Sequence, residues 1–191
     1  MRICFALMLA SLLAASGLQA RDSHSVAVAS METKLRHVEN NGIRTHPDLT
    51  PTQFTEAEAN AYLASGKVDL PTGVQSLRLQ GEAGVVNAVT QVDFDRFKGD
   101  VNSFNPLLAV FSGIHQVVVV AHAHGAGGAG FVHVDSVSLD GVEIPRFALE
   151  LFVEKYLQPK YPDVGLDSKF QLPDRIANAT VGEHTLTVVQ K

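Results

Sequence analysis

The chain has 191 residues, 46% hydrophobic and only 18% charged, with a formal net charge of −5 at neutral pH. Mild acidity without a basic cluster argues against nucleic-acid binding and against electrostatic attachment to anionic membranes. The single cysteine, Cys4, stands in an apolar N-terminal run, so the rest of the chain offers no disulfide, thiol chemistry or zinc–thiolate site.

Residues 1–20 read as a secretory signal peptide. Arg2 supplies the positive n-region, 5–13 is an apolar run broken only by Ser11, and Ala20 ends a stretch of mostly small residues suited to cleavage. The apolar run is short for a transmembrane helix of ~20 residues, and no later segment qualifies. Arg21, Asp22 and Ser23 offer no cysteine for lipid attachment. The expectation is a periplasmic or secreted protein with no stable transmembrane anchor. Removing 20 residues leaves 171, enough for one domain, since such a chain buries about 70% of its unfolded surface.

Within the segment 21–50, a short helix over 25–40 is weakly supported by Val26, Met31, Leu35 and Val38, and Asn40-Asn41-Gly42 breaks it. A single α+β domain is expected over 51–191. Thr55 and Glu58 form a capping box that opens a helix running to about Ser65, with Gly66 as its stop. Alternating apolar residues predict strands over 74–79 and 85–94. Residues 95–113 look irregular, with a helical turn around 106–111. Strands follow over 116–124 and 131–139, and Asp140-Gly141 signals a two-residue hairpin. Strand 166–172 and a final hairpin around Gly182-Glu183 close the chain. The element order predicts antiparallel pairing.

Between the hairpin and Pro159 lies the most informative stretch, a helix over 146–158. Ala148, Leu149, Phe152, Val153, Tyr156 and Leu157 make one apolar arc, and Phe147 and Leu151 intrude on the opposite side. A helix this apolar needs cover around most of its circumference. The expected architecture is therefore a curved antiparallel β-sheet wrapped around one long apolar helix, with a shorter N-terminal helix. Space between sheet and helix would hold an apolar small molecule or lipid. Phe147, Leu149, Leu151, Phe152, Val153 and Tyr156 are the candidate ligand-binding residues.

Other constellations carry less chemistry. The glycine run over 125–130 joins two strands and lacks the helix N-terminus that a phosphate loop needs, so it reads as a flexible hairpin loop. His122 and His124 share one strand face, and His133 and Asp135 share a face of the next strand. Imidazole and carboxylate are ordinary metal ligands, so these four residues are a candidate metal site. Asp93 and Asp95 read as a strand end, and Ser136 and Ser138 as ordinary strand residues. No catalytic residue and no cofactor is expected.

Residues 54–63, Phe-Thr-Glu-Ala-Glu-Ala-Asn-Ala-Tyr-Leu, resemble the opening of small exported bacterial proteins. Residues 139–145, Leu-Asp-Gly-Val-Glu-Ile-Pro, followed by the apolar helix, resemble the middle of bacterial tubular lipid-binding (TULIP-like) periplasmic proteins. Residues 172–176 before the last hairpin fit the same layout. The resemblance implies a helix cradled by a bent sheet, and binding of a lipid or sterol-like ligand, with a role in envelope lipid transport. Two other readings stay open: a metal-dependent enzyme or metal-binding protein using the histidine cluster, and a structural or assembly partner in the envelope.

Overall fold

A computed structural model of the protein describes residues 4–98, 111–159 and 161–191, with side chains over 23–96, 111–159 and 161–191. The helical turn expected around 106–111 lies, Phe111 apart, outside these residues. Helix α1 spans Cys4–Gly42, followed by β1 (Thr52–Thr55), α2 (Glu56–Ala64), β2 (Val74–Glu82), β3 (Val85–Asp93) and α3 (Phe94–Lys98). Then come β4 (Ile114–Ala126), β5 (Ala129–Leu139), β6 (Val142–Glu143), α4 (Arg146–Phe152), a π-helical turn (Val153–Leu157), β7 (Asp167–Gln171), β8 (Ile176–Gly182) and β9 (Thr185–Gln190). The described strands form one nine-stranded sheet, and every pairing is antiparallel.

The hairpin β4–β5 is its spine. β3 pairs with β4 from Ile114 to His122, and β8 takes the same edge further on, at His124 and Gly125. On the outer edge of β5, β7 pairs with Ala129–His133 and β6 with Ser138–Leu139. The sheet therefore opens into two lobes, one at each end of the spine. The register of β4 with β5 shifts by one residue between Val120 and Ala121, leaving Asp135 unpaired. Such a bulge bends a strand and raises its twist.

The glycine run is a tight hairpin with a two-residue turn. Gly127 and Gly128 form the two-residue turn, both at positive φ (62° and 87°), where a side chain is strained. Gly125 and Gly130 lie within the strands, at close approaches. A Cβ at Gly125 would meet Ala179 and Leu172 at 2.8 Å, and one at Gly130 would meet the Phe170 ring at 2.6 Å.

Each lobe has its own helix. Residues of α1, with Val38 buried and Met31 and Leu35 partly so, pack on Phe54 of β1 and Val188 of β9. At its end Asn41, 1% exposed, donates to Gln190 and to the Asp48 carbonyl. In the other lobe α4 and the π-helical turn pack Ala148, Leu149, Phe152 and Tyr156 against Val92, Val117 and Leu139. One long helix inside a wrapping sheet is thus not what forms. The expected helix over 146–158 ends its α-helical part at Phe152, and the Gln158 amide donates to the Val153 carbonyl, five residues back. Apolar spacing looks much the same through an α or a π turn, so the sequence does not announce this change. Among the described residues no helix is long and apolar enough to cross a membrane.

α2 is opened by the expected capping box of Thr55 and Glu58, and it closes the free edge of β2. The Asn60 side chain donates to the Leu79 carbonyl and accepts from its amide, both at 2.8 Å, as a strand would. Glu58 carries a second duty, as its carboxylate receives Lys34 and Ser30 from α1. Burial alone would push its carboxyl up, but Lys34, Ser30 and Thr55 outweigh it and hold the group down at about 2. A carboxylate with a depressed pKa stabilises the fold fully above its ordinary value of 4.5, and that contribution is lost as the pH falls through about 2. Glu58→Gln should lower unfolding free energy by about 1–3 kcal/mol at pH 7, and the deficit should vanish near pH 2. Denaturant melts of both proteins at several pH values check this.

Candidate functional site

Between α4 and the sheet lies a cavity of about 300 Å³. Its sheet wall comes from β3, β4 and β5, which send Val92, Val117, Val119 and Val137 to one face. Its roof is Leu149, Phe152 and Val153. Phe94 and Phe111 also line it, as do Val164, Gly165 and Leu166. Three rings cluster there: Phe111 and Phe152 are tilted to one another with centroids 4.4 Å apart, and Phe94 meets both edge-on at 5.5 and 5.7 Å. Such contacts add about 0.5–1.5 kcal/mol per pair beyond their buried area.

The lining is almost wholly aliphatic and aromatic. Thr90 supplies the lining hydroxyl, and it is already donated to the Ser76 carbonyl across the β2–β3 pair. With its proton given away, Thr90 leaves the lining no spare donor among the described side chains, so an apolar occupant enters at the least desolvation cost.

The six candidate ligand-binding residues fall into three groups. Leu149, Phe152 and Val153 line the cavity. Tyr156 is buried in the same core, with its ring 5.2 Å from that of Phe152, but does not line the cavity. Leu151 is half-buried against the core from the side. Phe147 is 55% exposed and points away. Among the described residues no second layer of sheet covers its face of α4, so the two-sided apolar character of the helix overstates how much is enclosed. The sheet-wall valines and Phe94 and Phe111 were not nominated from sequence. Val117 and Val119 stand in a run of four valines that does not distinguish one face from the other, so which of them line the cavity depends on the register.

On the opposite face of the spine the four candidate metal ligands do come near one another, and the Nδ1 atoms of His122 and His133 are each taken by a carboxylate. His122 Nδ1 donates to both Asp135 oxygens, at 2.9 and 2.8 Å. His133 Nδ1 bonds Asp167, whose other oxygen accepts Arg146 Nη2 at 2.9 Å, and Arg146 Nε reaches Glu150 at 3.2 Å. His124 lies flat on Phe131, centroids 5.0 Å apart, with Lys169 over the same ring. The His133 bond holds the Asp167 carboxyl below its usual range, with Arg146 assisting. Among the described residues no three such groups are placed to hold a metal ion. This exposed chain of alternating charge ties β4, β5 and β7 to the start of α4, each link being a surface pair of small energetic weight.

The remaining acidic candidates serve turns. Asp93 accepts the Arg96 amide and Asp95 the Gly113 amide, both at 3.1 Å. Phe152→Ala should cost about 3–5 kcal/mol by emptying the centre of the aromatic cluster, whereas Phe147→Ala should stay within about 0.5 kcal/mol of the parent. Equilibrium unfolding of the two variants checks the assignment of inner and outer faces.

No protein-family model matches this chain, and neither a curated protein nor a solved structure is significantly similar to it.

Proposed function

We propose that this protein is an exported, non-enzymatic binder of an apolar ligand, which it holds between α4 and the inner face of β3, β4 and β5. The observation that carries this reading is the cavity's lining: about 300 Å³ of space with aliphatic and aromatic walls and, among the described side chains, no spare hydrogen-bond donor. Ligand sites run from about 300 to 1,000 Å³. The volume therefore suits one alkyl chain or a small apolar molecule better than a sterol. Each methylene moved from water into such walls gains about 0.8 kcal/mol, before the cost of association.

The layout resemblance to tubular lipid-binding periplasmic proteins points to the same ligand class, with an apolar helix laid on a bent antiparallel sheet. Export rests on residues 1–20. Val28, Ser30, Lys34, Val38 and Asn41, through which α1 packs and bonds to the rest of the chain, all lie beyond Ala20 and would be kept after cleavage there. Protein recovered from the medium or periplasm should begin at Arg21 by N-terminal sequencing.

The test is to express the full-length chain, purify the product without detergent, and extract it with organic solvent for mass spectrometry. A stoichiometric apolar molecule is expected. Val119→Phe, which fills the cavity from its sheet wall, should reduce the extracted amount at least tenfold while leaving the fold intact by circular dichroism. An empty extract, together with no binding of the apolar dye N-phenyl-1-naphthylamine to the folded protein, would overturn the reading and favour a structural partner.

A further inference from the structure

Phe111 is 2% exposed and lines the cavity. The backbone that carries it is held from outside by a polar set to which no role has yet been given. His115 lies at the start of β4, with its Nε2 2.7 Å from the Ser112 carbonyl and its Nδ1 2.6 Å from Asp140 Oδ2. Asp140 sits in the turn between β5 and β6 at φ 48°, where its Oδ1 accepts the Gln116 amide at 2.9 Å. Gly113 completes the frame, donating to Asp95 at 3.1 Å and accepting from the Phe94 amide at 2.8 Å.

Both ring nitrogens of His115 thus face oxygens that accept. A carbonyl oxygen has no proton to give, and a carboxylate already taking an amide proton is held ionised. A neutral imidazole has one N–H. It can satisfy one of the two oxygens and must set a lone pair against the other. Only the imidazolium satisfies both.

We propose that protonated His115 is a positioning residue for the Phe111 wall, so that loss of its proton loosens that wall and speeds exchange of an apolar ligand; the exchange half of this rests on the ligand-binding reading. On deprotonation the tie to Ser112 breaks first, because the charged carboxylate of Asp140 is the stronger acceptor.

The electrostatics agree in direction. The Asp140 hydrogen bond, then the Ser112 carbonyl, hold the imidazole above its ordinary 6.5, against a small opposing effect of burial. Asp140 is in turn held below 3.8 by His115 and the Gln116 amide. The other charged groups on elements packed beside His115 are Asp93, Asp95 and Arg96, at the end of β3 and the start of α3. A raised histidine pKa means that the tie is whole below 6.5 and is lost as the pH rises through the folded value. At the acid end it persists until Asp140 protonates, below 3.8.

The experiment combines three readouts on the full protein. The His115 ring resonances, followed by NMR, should titrate with a midpoint above 6.5, and Asp140→Asn should move that midpoint down. Hydrogen-exchange protection of the Phe94 and Gly113 amides should fall by about tenfold or more across the same titration, as one charge-assisted bond is lost. In His115→Gln this step should be absent. The dissociation rate of N-phenyl-1-naphthylamine should rise through the same pH range in the parent only. A midpoint at or below 6.5, or protection unchanged while His115 titrates, overturns the proposal. A wall that loosens while the dye finds no site overturns the ligand-binding reading and leaves the positioning role standing.

Discussion

On β5 the register with β4 shifts by one residue at Asp135, and the two faces of the spine follow from that shift. Before it, Leu139 and Val137 pair with Val117 and Val119 and face α4. After it, Val134 and Val132 pair with Ala121 and Ala123, while His133 lies opposite His122. Without the extra residue, strict alternation from Val137 would place Asp135 and His133 on the cavity side. A buried carboxylate and imidazole there would carry desolvation costs of several kcal/mol. The bulge turns both outward, where they pair with His122 and Asp167. One face of the hairpin is then dry enough to line a cavity, and the other holds the chain of histidines and carboxylates.

The two lobes follow from the same spine. β4 is long enough to take β3 on one stretch of an edge and β8 on the next. The sheet therefore diverges, and one helix cannot cover both parts. α1 closes one lobe through Val38 and its ties to Glu58 and Gln190, while α4 with its π-helical turn closes the other. α4 is short and covers its lobe incompletely, and space remains beneath it. A helix fixed at its start by Arg146, Asp167 and Glu150, and at its underside by a ring cluster, is a roof held at one end over an apolar floor.

Much of this order was legible in the residues, and the rest was not for identifiable reasons. Local signals with their own chemistry transferred well: the Thr55–Glu58 capping box, the Asp140-Gly141 turn and the alternation of the long strands. The glycine run lies between two strands as expected, but the need for glycine at 125 and 130 is not legible there, since the contacts that demand it come from Ala179, Leu172 and Phe170, far along the chain. Phe147 was read as enclosed because periodicity reports apolar character and not cover. Phe94 ends the alternation of 85–94, but which face is covered depends on the register, and Phe111 lies in a stretch with no period. The pairing of His122 with Asp135 and of His133 with Asp167 required the bulged register, which no single strand encodes. His115 drew no notice, since its role depends on a carboxylate 25 residues away.

The central claim is that the space under α4 is a dry, preformed apolar site. A crystal of the protein pressurised with xenon tests it most directly, because dry apolar cavities of this size take up xenon and polar ones hold ordered water. The account predicts xenon among Val119, Val137, Leu149 and Leu166, with the surrounding side chains unmoved. Ordered water in that space, or walls collapsed onto one another, would contradict it.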